Sequence, residues 1–200
     1  MRQYNKRLLL EWMRKCKRKD NLHYSNTDPY LYRALEKYKI EDKSVLIIGS
    51  QEPCYEALAL LNKAKYVTTV EYQELSSTYK RLRVLTVPRF ENDNTIFDCA
   101  FSISSVEHSG LGRYGDPIDI DGDLKAMKLL HDKIKIGGIC FLAVPIGADR
   151  TEGNLHRVYG KERLPLLLKG WNVLERFGFD ENIFNSSVKR NQPLFILERI

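Results

Sequence analysis

The chain has 200 residues, 43% of them hydrophobic and 29% charged, which suits one globular domain with its own core and excludes a disordered or collagen-like chain. No apolar run approaches the ~20 residues of a membrane span, and the N-terminus lacks the apolar stretch and small-residue cleavage site of a secretory signal. The net charge of +6 is local: residues 1–20 carry eight basic and two acidic side chains, and the other 180 residues carry 24 of each sign. That balance argues against a nucleic-acid-binding face on the core, and no nucleic-acid partner is expected.

Residues 3–19 predict a basic helix with an apolar patch of Leu8, Leu9, Trp12 and Met13. It reads as a helix packed on the domain or a loosely ordered arm, or alternatively as a weak contact with an anionic membrane surface or polymer. We divide the chain into this basic helix or arm, 1–24, and one domain, 25–200. A turn at Asn26-Thr27-Asp28-Pro29 precedes a helix over 30–39. Strand and helix patterns then alternate: strand 45–48 ending at Gly49, helix 52–64, strand 66–72, helix 75–82, strand 83–87, strand 97–104. Helix 123–134 follows, closed by Gly137-Gly138, then strand 139–144, helix 161–169 and strands 172–177 and 194–199. The four cysteines, Cys16, Cys54, Cys99 and Cys140, have no zinc-site spacing, and a reduced, cytoplasmic setting is expected.

Apolar strands alternating with helices imply a parallel sheet covered on both faces. The last two strands have no helical pattern between them, so an antiparallel strand at the end is the simplest closure. The expected fold is α/β and Rossmann-like: a seven-stranded, mostly parallel sheet with an antiparallel last strand and helices on both faces.

The first strand, loop and helix read SVLIIGSQEPCYEALALL. In open α/β sheets ligands sit beyond the carboxyl ends of the strands at the switch point. Gly49 permits a sharp turn and a close backbone approach; Ser50 and Pro53 suit a helix start. A dinucleotide site needs further glycines for its pyrophosphate, and Gln51, Glu52 and Pro53 stand there instead. S-adenosylmethionine has no phosphate, and its ammonium could meet Glu52. Glu71 ends the second strand, 22 positions after Gly49, where a carboxylate can accept hydrogen bonds from ribose hydroxyls. S-adenosylmethionine is therefore the expected cofactor. An NAD-dependent oxidoreductase is disfavoured by the missing glycines.

The segment FDCAFSISSVEHSGLGRYGDPIDIDGD is too polar and glycine-rich to serve packing alone, and it follows the fourth strand at the mouth of the cofactor site. Ser104 and Ser105 are assigned to cofactor binding with Gly49, Ser50, Gln51, Glu52 and Glu71. Methyl transfer to a hydroxyl needs alignment and a base; His108 is the first candidate and Glu107 the second. Arg113, Tyr114, Asp116, His156, Arg157 and Tyr159 are assigned to the acceptor, with Arg157 as an anchor for a carboxylate or phosphate. Asp116, Asp119, Asp121 and Asp123 do not match the EF-hand pattern; no metal is expected, and Asp121 or Asp123 reads as a helix cap.

The stretches IIGSQEPCYEALAL, TTVEY, FDCAFSISSVEHSGLGRYGDP, GDLKAM, GGICFLAVPIG and NLHRVYGKERLPLLLKGW resemble an uncharacterised methyltransferase-like family first defined from nematode (Caenorhabditis) proteins and also found in bacteria. The resemblance covers roughly residues 25–199. It implies a class I S-adenosylmethionine-dependent methyltransferase fold, with Gly49 and Glu71 as cofactor contacts; GSQEP stands in place of the usual glycine-rich first motif. The expected activity is O-methylation of a small molecule or glycan. A catalytically silent Rossmann-like binding or scaffold protein is the alternative.

Overall fold

The computed structural model describes residues 2–185 and 191–200. Its centre is a seven-stranded sheet in the order β10-β11-β7-β6-β2-β3-β5. These strands are β2 (Ser44–Ile48), β3 (Tyr66–Glu71), β5 (Leu82–Thr86), β6 (Phe97–Ile103), β7 (Ile134–Ala143), β10 (Trp171–Phe177) and β11 (Leu194–Arg199). β5, β3, β2, β6 and β7 run parallel. β11 inserts antiparallel between β7 and β10. The chain winds outward from β2 to β5, then returns to β6 on the other side of β2, so the switch point lies between β2 and β6.

The strands form because β-branched and aromatic residues fill both faces of the pleat. Val45 and Ile47 face one core with Phe101 and Phe141, while Leu46 faces the other with Ala100, Cys140 and Leu142. The first face is covered by α1 (Lys6–Lys17), α2 (Asp28–Lys37) and α3 (Cys54–Leu61), the second by α4 (Val87–Glu91), α5 (Gly122–Lys133) and α6 (Arg163–Leu167). All four cysteines are free and buried. Among the described residues no helix is long and apolar enough to cross a membrane.

The N-terminal helix packs on the domain, the first of the readings left open for it. Several other expectations are corrected. A short strand β1 (Arg2–Tyr4) pairs in parallel with β4 (Leu75–Ser77), where a helix was predicted. α1 lays Leu9, Trp12 and Cys16 into the first core, with Leu8 and Met13 packed against it. Its apolar stripe is therefore spent on packing, and the outward face is basic apart from Leu10 and Glu11. Gly137-Gly138 does not stop a helix. α5 ends at Lys133 and β7 starts at Ile134, running through both glycines. α3 begins at Cys54 with Pro53 in the cap position, so Ser50 caps nothing. Asp121 occupies the cap position of α5 without a side-chain bond to the helix backbone, and Asp123 is buried in an ion pair with Arg163. A hairpin of β8 (Arg150–Glu152) and β9 (His156–Val158) lies where no strand was predicted.

Candidate active site

Gly49 follows β2 with φ +70, and its amide donates to Val70 O at 2.9 Å. A Cβ here would lie 2.3 Å from Ser105 Oγ, so glycine alone allows the loop after β6 to close against the end of β2. At the end of β3, Glu71 turns back. Its Oε2 accepts the Ser50 amide at 2.9 Å and its Oε1 the Tyr72 amide at 2.8 Å. Each oxygen keeps a free lone pair. Gly49 and Glu71, predicted at neighbouring strand ends, thus sit in one hydrogen-bonded turn.

The loop is braced from below. Tyr4 Oη donates to Ser50 O at 2.5 Å and Arg2 to Gln51 O at 2.7 Å. Glu56 of α3, fully buried, faces Ser50 Oγ at 3.0 Å and Thr69 Oγ1 at 2.7 Å. Burial pushes its carboxyl up to about 7 against the stabilising hydrogen bonds.

A cavity of about 370 Å³ opens above these strand ends, within the range of small-molecule sites. Ile48, Val70, Val87, Phe90, Ala126 and Leu129 make an apolar side; Gly49, Ser50, Gln51, Glu71, Ser104, Ser105, His108, Arg113 and Tyr114 make a polar one. His23, Tyr24, Tyr55 and Tyr72 also line it, with no motif or spacing to mark them beforehand.

Ser104 closes β6 at φ +52, a left-handed conformation uncommon for serine and typical of a constrained site. Its hydroxyl donates to Glu107 Oε1 at 2.7 Å. Glu107 is fully buried, its Oε2 has no hydrogen-bond partner, and burial pushes its carboxyl up to about 7. It does not line the cavity; Ser104 ties it there, and its Oε1 also lies 3.8 Å from His108 Nε2. His108 does line it. Its Nδ1 meets the carbonyl of Leu155, which places the proton on Nδ1 and leaves the Nε2 lone pair available. Burial first, then neighbouring His156 and Arg113, push its pKa down against the Leu155 carbonyl and Asp116, and the lowering favours the neutral imidazole.

Four sequence assignments change. Arg157 is buried and saturated. Its guanidinium donates to the carbonyls of Glu107, Ser109, Asp119 and Ile120 and lies 3.6 Å from Asp123. It staples the loop and is closed to a ligand. Tyr159 is buried with its hydroxyl on Asp123 at 2.9 Å. Asp116 turns inward to accept the amides of Gly110, Gly112 and Tyr114. Glu52 is exposed and outside the cavity, so it does not meet a ligand ammonium there. His156 stands one ring behind His108, centroids 6.2 Å apart, and 3.4 Å from Glu152.

A mostly parallel sheet with this strand order, an antiparallel penultimate position for the last strand, and a cavity bracketed by a glycine turn and a strand-end carboxylate define the class I methyltransferase fold. Solved structures agree. An S-adenosylmethionine dependent methyltransferase from Mesorhizobium loti superposes with a TM-score of 0.58 at 11% identity, over 84% of this chain and 97% of that one. The N-methyltransferase NodS from Bradyrhizobium japonicum, in complex with S-adenosyl-L-homocysteine, gives 0.57 at 14%, over 86% and 84%. TehB from Haemophilus influenzae gives 0.58 at 14%, over 93% of this chain but only 65% of that one, just under two thirds of its length. At these identities the likeness is one of fold. The chain belongs to the family described as Caenorhabditis protein of unknown function, DUF268, whose model matches residues 42–194. No curated protein matches it.

Proposed function

We propose that the protein is an S-adenosylmethionine-dependent methyltransferase acting on a hydroxyl of a small molecule or glycan. The observation that carries this is the Gly49–Ser50–Glu71 turn at the floor of the cavity. It offers backbone without side-chain obstruction beside a carboxylate with free lone pairs. Glu71 suits the ribose hydroxyls, the Gly49–Gln51 backbone the amino-acid end, and the Val87, Phe90, Ala126 and Leu129 side the adenine. With no acidic group at Glu52's position in the cavity, carbonyl oxygens of the loop are left to meet the ammonium. The bound cofactor supplies an electrophilic methyl group.

The protein's share of the chemistry is placement. His108 Nε2 accepts a hydrogen bond from the acceptor hydroxyl, and Arg113 and Tyr114 flank it. Arg157 holds the backbone that carries all three. Calorimetry with S-adenosylmethionine and S-adenosylhomocysteine, with NAD as control, tests the reading. Binding of the first two and not the third is expected; no binding of either would leave the scaffold alternative.

A further inference from the structure

Arg113, Arg150, Arg157 and Arg163 lie on the segments that follow β6 and β7. Three of them are already paired within the protein. Arg157 donates to four carbonyls, Arg163 to Asp123 and Ile120 O, and Arg150 to Glu152 and Ala148 O. Arg113 lines the cavity and, among the described residues, makes no hydrogen bond or ion pair. It stands over the Tyr114 ring, its guanidinium carbon 5.6 Å from the centroid.

An unpaired arginine on a loose surface loop is ordinarily a solvated charge. The backbone that carries Arg113 is held instead. Asp116 accepts the amides of Gly110 and Gly112 through Oδ2 at 2.7 and 3.1 Å, and the amide of Tyr114 through Oδ1 at 3.1 Å. One buried carboxylate thus fixes the residues on both sides of Arg113. It is also the acid nearest to Arg113 in the sequence, and it makes no ion pair with it.

Charge around the cavity is uneven. Among the described residues its lining holds one carboxylate, Glu71, which serves two amides at the cofactor end. His23, His108 and Arg113 line the cavity as well. The acceptor end therefore offers a guanidinium with all its donors free and no carboxylate to meet it. Five donors in a planar fork match the paired oxygens of a carboxylate or phosphate.

The spacing suits one small molecule. The Tyr114 ring centre lies 5.6 Å from that of His108 and 5.6 Å from the Arg113 guanidinium carbon, and two such steps keep imidazole and guanidinium within about 11 Å. A hydrogen bond of about 3 Å at each end leaves a gap that a hydroxy acid or a sugar phosphate spans.

We propose that Arg113 is the anion anchor of the acceptor site, and that the acceptor is a small hydroxyl compound bearing a carboxylate or phosphate. This rests on the methyl-transfer reading. The hydroxyl donates to His108 Nε2 while the anion lies in the Arg113 fork. An acidic sugar meets both groups; a neutral one leaves the guanidinium unmatched. The role expected of Arg157 from the sequence thus falls to Arg113, whose donors are free.

The test reads Arg113 by NMR on the isotope-labelled full chain, with and without saturating S-adenosylhomocysteine. The Arg113 Nε–H signal is assigned by its absence in Arg113→Gln. Inorganic phosphate, glycolate and neutral ethylene glycol are titrated separately, with chloride holding the ionic strength constant. Phosphate, glycolate or both should shift the Arg113 Nε–H and the Tyr114 amide saturably, and ethylene glycol should move neither. Read at the Tyr114 amide, Arg113→Gln should weaken the anion about tenfold or more, the scale of a lost charge-assisted pair. Arg113→Lys should recover part of the loss, because the charge stays and the fork goes. Saturation by phosphate alone assigns a phosphoryl group, and by glycolate alone a carboxylate. Saturation by neither anion overturns the anchor. So does an equal response from Arg7 and Arg14, both exposed on α1, which marks an adventitious ion only. Failure of S-adenosylhomocysteine to bind in calorimetry sinks the methyl-transfer reading, while the titrations of the free chain judge Arg113 separately.

Discussion

Replacing Glu56 by glutamine isolates the cost of burying a carboxyl under the cofactor loop. Ser50 Oγ lies 2.8 Å from Glu52 O and 3.0 Å from Glu56 Oε2, and its one hydrogen serves only one of them. A neutral Glu56 resolves this by donating to Ser50 while accepting from Thr69, and a glutamine reproduces that pattern. Burial raises the folded-state value from 4.5 to about 7. Stability from this group is full below the unfolded value and is lost as pH rises through the folded one. At 1.36 kcal/mol per pH unit, the wild type should lose about 3 kcal/mol relative to Glu56→Gln across that window. Urea melts of both proteins at pH 5 and pH 8 read this directly. The two should approach one another at pH 5, and the variant should be the more stable at pH 8. Parallel pH dependence in both proteins would show that Glu56 stays ionised and that the proton-counting argument is wrong.

Glu71→Ala should weaken S-adenosylhomocysteine binding by about 1–3 kcal/mol, the scale of a lost charged hydrogen-bond partner, with calorimetry as the check. Leu9→Ala should cost about 2–5 kcal/mol in a urea melt, as for a fully buried core leucine; a change under about 1 kcal/mol would return α1 to the status of an arm. His108→Ala should keep its affinity for S-adenosylhomocysteine and lose about 10²-fold in turnover with an identified acceptor, the penalty for misplacing a reactant. Arg157→Ala should cost about 3–5 kcal/mol, because it strips a buried charge network of its centre; a melt within about 1 kcal/mol of wild type would contradict the staple.

The legible part of this fold is the part set by local periodicity. Val45–Ile48 with Gly49 and the strand ending at Glu71 could be read because alternation, a glycine and a strand-end acid lie within one short span, and the sheet then brings the two ends together. The strand at Leu75 was not legible because its partner is Arg2–Tyr4, and three-residue edge strands carry too little pattern to outweigh helical spacing. Tyr24 could not be placed at the site because its position depends on Asp28 turning back on three amides, and a cap of that kind is indistinguishable in sequence from an ordinary Asp-Pro turn. Arg157 was read as a ligand anchor because sequence shows a cation and not its partners. Four carbonyls from residues 107–120 consume its donors. Glu56 gave no sign at all, since one acid in an apolar helix normally marks the wet face.

The Arg157 staple also bears on how fast a ligand is captured. Loops over active sites commonly close after a ligand arrives, and that rearrangement adds a slow, concentration-independent phase to association. Here residues 107–120 are already tied to β9 by a buried guanidinium, and Arg163 adds a bond to Ile120 O at 2.7 Å. The entropy of ordering the loop is spent during folding, before any ligand is met. Stopped-flow mixing with S-adenosylhomocysteine should accordingly give a single phase whose rate rises linearly with ligand concentration, and Arg157→Ala, if it folds, should acquire a second, saturating one.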